Sequence, residues 1–323
     1  MKILITGCAG FIGFHLCQNL LMNTKNKIYG LDNLNDYYDI NLKNDRLKIL
    51  KKNYNNFRFY KIDIANKKNV AKNFYSNKYD IVINLAAQAG VRYSVENPDE
   101  YVRSNLVGFF NILDISQKIN VKHMLFASTS SVYGKSKVFP LKEDFKSDEP
   151  LSFYAATKKS NEVMAYSYSN IHKIPITCLR FFTVYGPYGR PDMSLFKFSK
   201  SIIEKKNIEL YNYGKHIRDF TYIDDVVDSI RKLIPKIPKK KIPYEVFNIS
   251  HSKPKTLKYF LSTIEKTIGK KTNVLYKPLQ LGDTFKTHAN NKKLIRAVGN
   301  INKTKIEDGI SKFIKWYNDY YKK

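Results

Sequence analysis

Short runs that are apolar almost throughout and rich in β-branched residues recur along the first 180 positions, with longer segments between them. The runs are Lys2–Thr6, Lys27–Leu31, Arg58–Ile62, Asp80–Asn84, His123–Ser128 and Ile176–Phe181. Continuous apolar runs are typical of strands buried on both faces of a parallel sheet. Because helical stretches separate the runs, the pattern predicts a doubly wound α/β fold.

Beyond about residue 181 the pattern loosens, and glycine and proline become frequent in loops such as Tyr185–Arg190 (YGPYGR). A last helix is predicted to begin at Thr304, because Thr304 and Glu307 have the spacing of a capping box. Its apolar positions include Phe313 and Trp316. The C-terminal third is therefore expected to form a smaller α/β lobe laid over the sheet.

Composition narrows the class of protein. A chain of 323 residues with 43% hydrophobic and 26% charged residues is ordinary for a globular protein, which excludes general disorder. The formal net charge of +28 would normally indicate nucleic acid, an anionic membrane or an acidic ligand. Lysine and asparagine are spread along the whole chain, however, so we expect neither a nucleic-acid nor a membrane partner. A basic RNA- or membrane-surface protein with a degenerate version of this fold stays open as the alternative.

The cysteines and the N-terminal segment bear on location. Cys8, Cys17 and Cys178 are widely spaced and form no CxxC, which favours neither a disulfide framework nor a zinc site. The first 22 residues have the lysine and the apolar stretch of a signal peptide. Their glycine spacing instead favours a strand, a turn and a helix, so we expect a cytoplasmic protein without a bound metal.

Three glycines follow the first predicted strand and open the first predicted helix. The spacing Gly7-x-x-Gly10-x-x-Gly13 would let backbone amides and the positive helix end face a pyrophosphate. Alone the spacing is weak, and a plain tight turn is the alternative, but its place between strand and helix predicts a dinucleotide site. Phe11 and Ile12 of the same turn are expected to contact the cofactor.

Two carboxylates at strand ends indicate which dinucleotide is expected and where it is contacted. Asp32–Asn33 ends the second strand, where a carboxylate accepts hydrogen bonds from ribose hydroxyls and repels a 2′-phosphate, so NAD is favoured over NADP. Asp63–Ile64 ends the third strand and is expected near the adenine, with an N-cap role for Asp63 as the alternative. We assign residues 1–180 and about 221–250 to the NAD-binding domain, and 181–220 and 251–323 to the substrate lobe.

A tyrosine and a lysine provide the candidate catalytic pair. Tyr-x-x-x-Lys places the two side chains on one helix face, and it occurs at Tyr133/Lys137, Tyr154/Lys158 and Tyr211/Lys215. Gly134 and Gly214 interrupt the first and the third, which leaves Tyr154 and Lys158. A tyrosine base at pH 7 needs its pKa lowered by about three units, or roughly 4 kcal/mol, and Lys158 with a positive nicotinamide ring would supply this.

Hydroxyl groups follow the fifth strand, where ligands bind in this type of sheet. The run 128–131 reads STSS, and a hydroxyl such as that of Thr129 can hydrogen-bond the reacting oxygen and relay its proton to Tyr154. A cluster that only ties up a strand end is the alternative.

The chain resembles the extended short-chain dehydrogenase/reductase enzymes of the NAD-dependent epimerase family. The resemblance rests on GxxGxxG, NLAAQAGV at 84–91, STSSVYG at 128–134, YxxxK at 154–158 and RDFTYIDD at 218–225. It implies a Rossmann-type NAD-binding domain, with cofactor contacts at Leu85, Ala86 and Ala87. Dehydratases and decarboxylases of the family carry an acid where Ser130 or Ser131 stands here, so the resemblance implies epimerisation at a sugar C4.

Two segments, LDNLNDYYDINLK at 31–43 and FFTVYGPYGRPDMSLFKF at 181–198, are similar to those of UDP-glucuronate 4-epimerases, which make UDP-galacturonate for surface polysaccharides. UDP-glucose or UDP-GlcNAc 4-epimerisation is the main alternative, and UDP-glucuronate decarboxylation is a weaker one. Thr129, Ser130, Ser131 and Thr183 would donate to the C6 carboxylate. Keeping that carboxylate fixed matters because a 4-keto uronate is a β-keto acid and can lose CO₂.

Further substrate contacts are expected around this pocket. Arg190 and Arg218 are candidates for the diphosphate, with a surface charge as the alternative for each. Tyr211 is expected to pack on the uracil unless it is a core aromatic, and Gln88 and Arg92 are expected to edge the sugar. Related UDP-galactose epimerases have an arginine before the pair that matches Gly282–Asp283, but this chain reads PLQLGD there, which puts contacts from that loop in doubt.

The family dimerises through two helices per subunit, which the resemblance places at Asp99–Ile119 and Phe153–Ile171. A second apolar stripe on the first of these helices, formed by Val102, Leu106, Phe109 and Phe110, is compatible with a homodimer built on a four-helix bundle.

Overall fold

The structure, a computed structural model, describes residues 1–321. Its strands are β1 (Lys2–Thr6), β2 (Lys27–Asp32), β3 (Phe57–Lys61), β4 (Ile81–Asn84), β5 (His123–Thr129), β6 (Ile176–Phe181), β7 (Thr183–Tyr185), β8 (Ile208–Leu210), β9 (Ile217–Arg218), β10 (Phe220–Tyr222), β11 (Tyr244–Ile249), β12 (Lys255–Thr256) and β13 (Val274–Tyr276).

The α-helices are α1 (Phe11–Leu21), α2 (Ile40–Asn53), α3 (Lys67–Asn77), α4 (Tyr93–Glu96), α5 (Pro98–Tyr101), α6 (Phe109–Lys118), α7 (Phe153–His172), α8 (Ser194–Ile203), α9 (Ile223–Leu233), α10 (Leu257–Ile268), α11 (Lys292–Val298) and α12 (Ile306–Tyr321). A π-helical stretch, Val102–Gly108, joins α5 to α6, and 3₁₀ turns lie at Ser130–Tyr133 and Tyr211–Gly214. No helix within residues 1–321 combines the length and the apolar character that a membrane span requires.

Seven parallel strands form the main sheet, in the order β11-β6-β5-β4-β1-β2-β3. This confirms the predicted doubly wound α/β fold. The chain winds outward in one direction from β1 to β3 and in the other from β4 to β11, so the order reverses between β1 and β4. Ligands bind in the crevice at such a reversal, outside the carboxyl ends of the strands.

Both faces of the sheet are buried, as the continuous apolar runs predict. Along β1, Ile3 and Ile5 belong to the core on the side of α1, α2 and α9, whereas Leu4 belongs to the core on the side of α3, α6 and α7. Phe109 is 1% exposed and packs on Phe126, with ring centroids 5.0 Å apart. The prediction that Phe109 lies on the exposed stripe is therefore wrong.

The C-terminal lobe has a different helix start from the one predicted. Helix α12 begins at Ile306, and Thr304 is used elsewhere: its N–H and hydroxyl donate to the two carboxylate oxygens of Asp225 at 2.7 and 2.8 Å. Glu307 accepts a hydrogen bond from the Tyr259 hydroxyl. The capping-box prediction is therefore wrong, because each of its two side chains has a partner on another helix. The division into a cofactor domain and a substrate lobe stays a prediction.

Candidate functional site

A cavity of about 1010 Å³ lies outside the carboxyl ends of β1, β4 and β5 and extends toward α8 and the loop 283–287. Every residue that the sequence predicts for the site lines this cavity, from the glycines after β1 to Tyr211 and Arg218. The parallel sheet brings these residues together, since strand ends far apart in sequence meet at one edge. Their individual roles stay predictions.

The turn between β1 and α1 requires glycine at two positions. Gly7 has a φ of 70°, and a Cβ there would lie 2.8 Å from the backbone nitrogen of Ala86. A Cβ on Gly13 would lie 2.1 Å from the carbonyl oxygen of Gly7. No side chain caps the start of α1, so the first amides of the helix remain available to an anion. This cradle fits the pyrophosphate of a dinucleotide.

Asp32 ends β2 beside this turn. Its carboxylate accepts from the N–H groups of Ala9 at 3.1 Å and Leu34 at 2.9 Å. Burial raises the pKa of Asp32, opposed by the Leu34 hydrogen bond and by the charge of Lys43. Lys43 was not predicted; it is 5% exposed, lines the cavity, and donates to both the backbone and the side-chain oxygen of Asn35 at 2.5 Å.

Asp63 lines the cavity and does not cap a helix. Its carboxylate accepts from the N–H of Ala65 at 2.9 Å and forms an ion pair with Arg103. Asn66 is the residue that caps α3, through a hydrogen bond from the N–H of Asn69 at 3.0 Å. The N-cap alternative for Asp63 is therefore wrong.

Tyr154 and Lys158 lie one turn apart on α7, and Ser152 caps the start of this helix. Lys158 is 2% exposed, and burial lowers its pKa to about 8. Burial raises the pKa of Tyr154, while the charge of Arg190 and a hydrogen bond with the Thr129 hydroxyl oppose that rise. Arg190 and Thr129 therefore partly offset the effect of burial on Tyr154, and the predicted electrostatic role of Lys158 stays a prediction.

The hydroxyl cluster at the end of β5 is divided between two tasks. The Ser128 hydroxyl donates to Glu162 at 2.6 Å. Thr129 accepts from the N–H of Ser131 at 3.2 Å, which caps the 3₁₀ turn, and its own hydroxyl donates to the Ser131 hydroxyl at 3.2 Å. Ser130 and Ser131 line the cavity beside Thr129. The cluster therefore both ends the strand and presents hydroxyls to the cavity.

The π-helical stretch places Asn105 where it supports the site, and no sequence pattern pointed to it. Its side chain accepts from the N–H of Gln88 at 2.8 Å and donates to the Gln88 carbonyl at 3.0 Å and to Thr157 at 3.1 Å. Asn161 on α7 donates to the Asn105 carbonyl at 2.7 Å. One asparagine thereby ties the loop after β4 to the helix that carries Tyr154. The buried Nε2 of Gln88 has no partner among residues 1–321.

Arg190 lines the cavity and lies between β7 and α8. It pairs with Asp192 through contacts of 3.0 and 2.5 Å, and Asp192 also accepts from the Tyr37 hydroxyl at 3.2 Å. The charge of Arg190 opposes the rise that burial causes in the pKa of Tyr154, and the predicted diphosphate contact of Arg190 stays a prediction.

The far end of the cavity holds Arg218 and Tyr211. Arg218 pairs with Asp283 at 2.8 Å, so the loop that lacks the relatives' arginine supplies a carboxylate instead. Tyr211 lies in a partly exposed 3₁₀ turn, with the Arg92 guanidinium 4.6 Å from its ring centroid, and its hydroxyl donates to Glu209 at 2.5 Å. Tyr211 is therefore not a core aromatic.

Comparison with known proteins extends along the whole chain. The family model described as NAD dependent epimerase/dehydratase family matches residues 3–250. Protein CapI of Staphylococcus aureus is 47% identical over 100% of both chains. The probable UDP-glucuronate 4-epimerase of Rhizobium meliloti (strain 1021) is 40% identical, over 100% of this chain and 98% of that protein. The crystal structure of UDP-glucuronic acid 4-epimerase from Bacillus cereus in complex with UDP-glucuronic acid and NAD has a TM-score of 0.93 at 34% identity, covering 99% of this chain and 100% of that one.

Proposed function

This chain belongs to the NAD dependent epimerase/dehydratase family, and we propose that it interconverts UDP-glucuronate and UDP-galacturonate by epimerisation at C4. The family predicted from the sequence motifs is thereby confirmed. The observation that carries the proposal is one cavity in which the glycine turn, Tyr154, Lys158 and the serines after Thr129 meet, in a fold that superposes on the Bacillus cereus enzyme.

The residues of the cavity suit NAD and this reaction. When bound, NAD supplies a reversible hydride acceptor, so no net oxidation follows. Tyr154 takes the proton of the C4 hydroxyl, Thr129 hydrogen-bonds the reacting oxygen, and Lys158 stabilises the phenolate through its charge. The 4-keto sugar then turns over in the pocket, so that the hydride would return to the opposite face of C4 while Tyr154 returns the proton to the C4 oxygen.

The carboxylate of the sugar finds donors at the same end of the cavity. Thr183, Ser130 and Ser131 offer hydroxyls, and we assign Arg190 to this end in place of the diphosphate. Arg190 lines the cavity, and its charge opposes the rise that burial causes in the pKa of Tyr154, which supports this assignment. A fixed carboxylate resists the decarboxylation to which a 4-keto uronate is prone. Arg218 remains our candidate for the diphosphate, and Tyr211 for the uracil.

A panel of three substrates tests the proposal. Purified protein is incubated separately with UDP-glucuronate, UDP-glucose and UDP-GlcNAc, and the products are separated by anion-exchange chromatography. We expect turnover of UDP-glucuronate to UDP-galacturonate and at least about tenfold lower kcat/KM for the neutral sugars, because they leave the carboxylate donors unpaired. Turnover of UDP-GlcNAc with UDP-glucuronate untouched would refute the substrate assignment, and a UDP-pentose product would indicate decarboxylation.

We also propose a cytoplasmic homodimer. Apolar side chains of the π-helical stretch, α6 and α7 are exposed, namely Val107 (45%), Phe110 (37%), Val163 (58%) and Tyr166 (48%). Pairing these helices with a second copy would bury them in a four-helix bundle. Light scattering with size-exclusion chromatography should give twice the mass of 37.7 kDa, and a monomer at micromolar concentration would contradict the proposal.

A further inference from the structure

Arg46, on α2, is fully buried, and its guanidinium joins three segments of the chain. Nη1 donates to the carbonyl oxygen of Ala9 at 2.7 Å and to the Tyr38 hydroxyl at 2.8 Å. Nη2 donates to the carbonyl oxygen of Tyr188 at 2.7 Å. These partners lie in the glycine turn, in the loop after β2 and in the segment that leads to Arg190. Arg46 itself does not line the cavity.

Arg46 forms no salt bridge among residues 1–321, although its charge opposes the rise that burial causes in the pKa of the nearby Asp32. The hydrogen-bond acceptors of Arg46 are two carbonyls and a hydroxyl, and its Nε is buried without an acceptor among those residues. A buried cation without a directly paired counter-ion is costly. The carbonyl of Ala9 that it binds belongs to the turn that cradles the dinucleotide pyrophosphate. A bound dinucleotide would therefore bring negative charge to the turn that the guanidinium holds.

The segment on the other side of Arg46 is fixed by packing. Tyr188 has a φ of 53°, and its ring lies 5.1 Å from that of Phe14 and 4.9 Å from that of Trp316, centroid to centroid. The carbonyl of Pro187 lies 2.9 Å from Nε2 of His15 on α1. Two residues after Tyr188 comes Arg190, which lines the cavity. The bond from Arg46 to Tyr188 thus links the cofactor turn to the position of Arg190.

We propose that Arg46 is a positioning residue that couples cofactor binding to substrate binding. Its guanidinium joins the glycine turn to the Arg190 segment, and a dinucleotide pyrophosphate in that turn would add to the negative charge that Asp32 already provides. The inference that Arg46 supports NAD binding depends only on the glycine turn. The inference that it also supports substrate binding rests on the proposed function.

Two variants and a matched control test the coupling in the full chain. Arg46→Met removes the charge and the hydrogen bonds but keeps an unbranched apolar chain, and Arg46→Lys keeps only the charge. Lys48→Met removes a cation from an exposed position on the same helix. The readouts are the Kd for NAD by calorimetry, the KM for UDP-glucuronate at saturating NAD, and Tm with and without NAD.

We expect Arg46→Met to raise the Kd for NAD by about 10- to 100-fold, as for the loss of hydrogen bonds to a charged group, and to raise KM as well. Its Tm without NAD should stay within about 2 °C of wild type or rise, because an unpaired buried charge is gone. Arg46→Lys should weaken both affinities less, and Lys48→Met should change neither.

Unchanged affinity for NAD together with a lower Tm would overturn the proposal and make Arg46 merely structural. Weaker NAD binding with an unchanged KM at saturating NAD would overturn the coupling to the substrate. If Arg46→Met does not fold, the Kd for NAD and the KM for UDP-glucuronate of Arg46→Lys test the proposal instead. If wild-type protein turns over no UDP-glucuronate, the proposed function fails, and the NAD titrations still test the cofactor part.

Discussion

Replacing Glu162 by glutamine should destabilise the protein, because its carboxylate is half of a buried ion pair. Glu162 lies on α7, one turn after Lys158. It accepts from Arg180 at 2.9 and 2.7 Å and from the Ser128 hydroxyl at 2.6 Å. The two side chains of the pair are 4% and 5% exposed. Without the carboxylate, the Arg180 guanidinium would remain buried with no counter-ion.

The size of the effect follows from this burial. Removing one partner of a buried pair costs about 3–5 kcal/mol. A chain of 323 residues has an unfolding entropy of about 0.7 kcal/mol per kelvin, so Tm should fall by about 4–7 °C. The double variant Glu162→Gln/Arg180→Met should recover part of this loss, because it leaves no unpaired charge. The exposed Glu149, replaced by glutamine, is the matched control.

The Glu162→Gln substitution should also alter the pH dependence of stability and of activity. Burial alone would raise the pKa of Glu162, but hydrogen bonding and the charge of Arg180 hold it below its ordinary value. The pair therefore contributes stability above the unfolded pKa of about 4.3, and the contribution is lost as the pH falls through the lower folded pKa.

Burial also lowers the pKa of Lys158 to about 8, and the charge of Glu162 opposes this. In Glu162→Gln that pKa should fall further, and activity should decline at a lower alkaline pH.

Scanning calorimetry at pH 7.5 and a pH profile of kcat measure these effects. A Tm for Glu162→Gln within about 1 °C of wild type, or a double variant less stable than the single one, would refute the reasoning from the buried pair. An alkaline limb that does not move would refute the link to Lys158.

Three further changes have defined outcomes. Tyr154→Phe should lower turnover by about 10²- to 10⁴-fold, as for loss of a general acid–base group, while NAD still copurifies; turnover near wild type would exclude Tyr154 as the base. Gly13→Ala should abolish copurification of NAD, measured by absorbance after denaturation, because the new Cβ would lie 2.1 Å from the carbonyl oxygen of Gly7; retained NAD would contradict the cradle. Thr304→Val should lower Tm by about 1–4 °C through the lost hydroxyl bond to Asp225, whereas an unchanged Tm in calorimetry would show that this bond is dispensable.

Continuous apolar runs predicted six of the seven strands of the main sheet, because those strands are buried on both faces. The seventh, β11, was missed, since it is an edge strand whose first half is only partly buried. The Thr304–Glu307 spacing predicted a capping box that does not form, because both side chains bind residues of other helices instead. Sequence spacing reports local preference, and the final partners depend on which elements pack together.

The predicted site residues line one cavity, and their roles stay predictions. The residues that the sequence did not indicate are placed by distant packing. Gly7 and Gly13 stand in a turn that only glycine fits, so their spacing was informative. Arg46 and Lys43 are buried, but among 56 lysines and arginines a buried cation has no local signal. Asn105 owes its position to a π-helical stretch, which apolar periodicity does not reveal.

The central claim is that a hydride leaves C4 of the uronate and returns to the same carbon. UDP-glucuronate labelled with deuterium at C4 is incubated with the purified holoenzyme in ordinary water, and the product is followed by NMR and mass spectrometry. We expect UDP-galacturonate that keeps the deuterium at C4, without added NAD. Loss of the label to solvent, or release of CO₂ with a UDP-pentose as product, would contradict it.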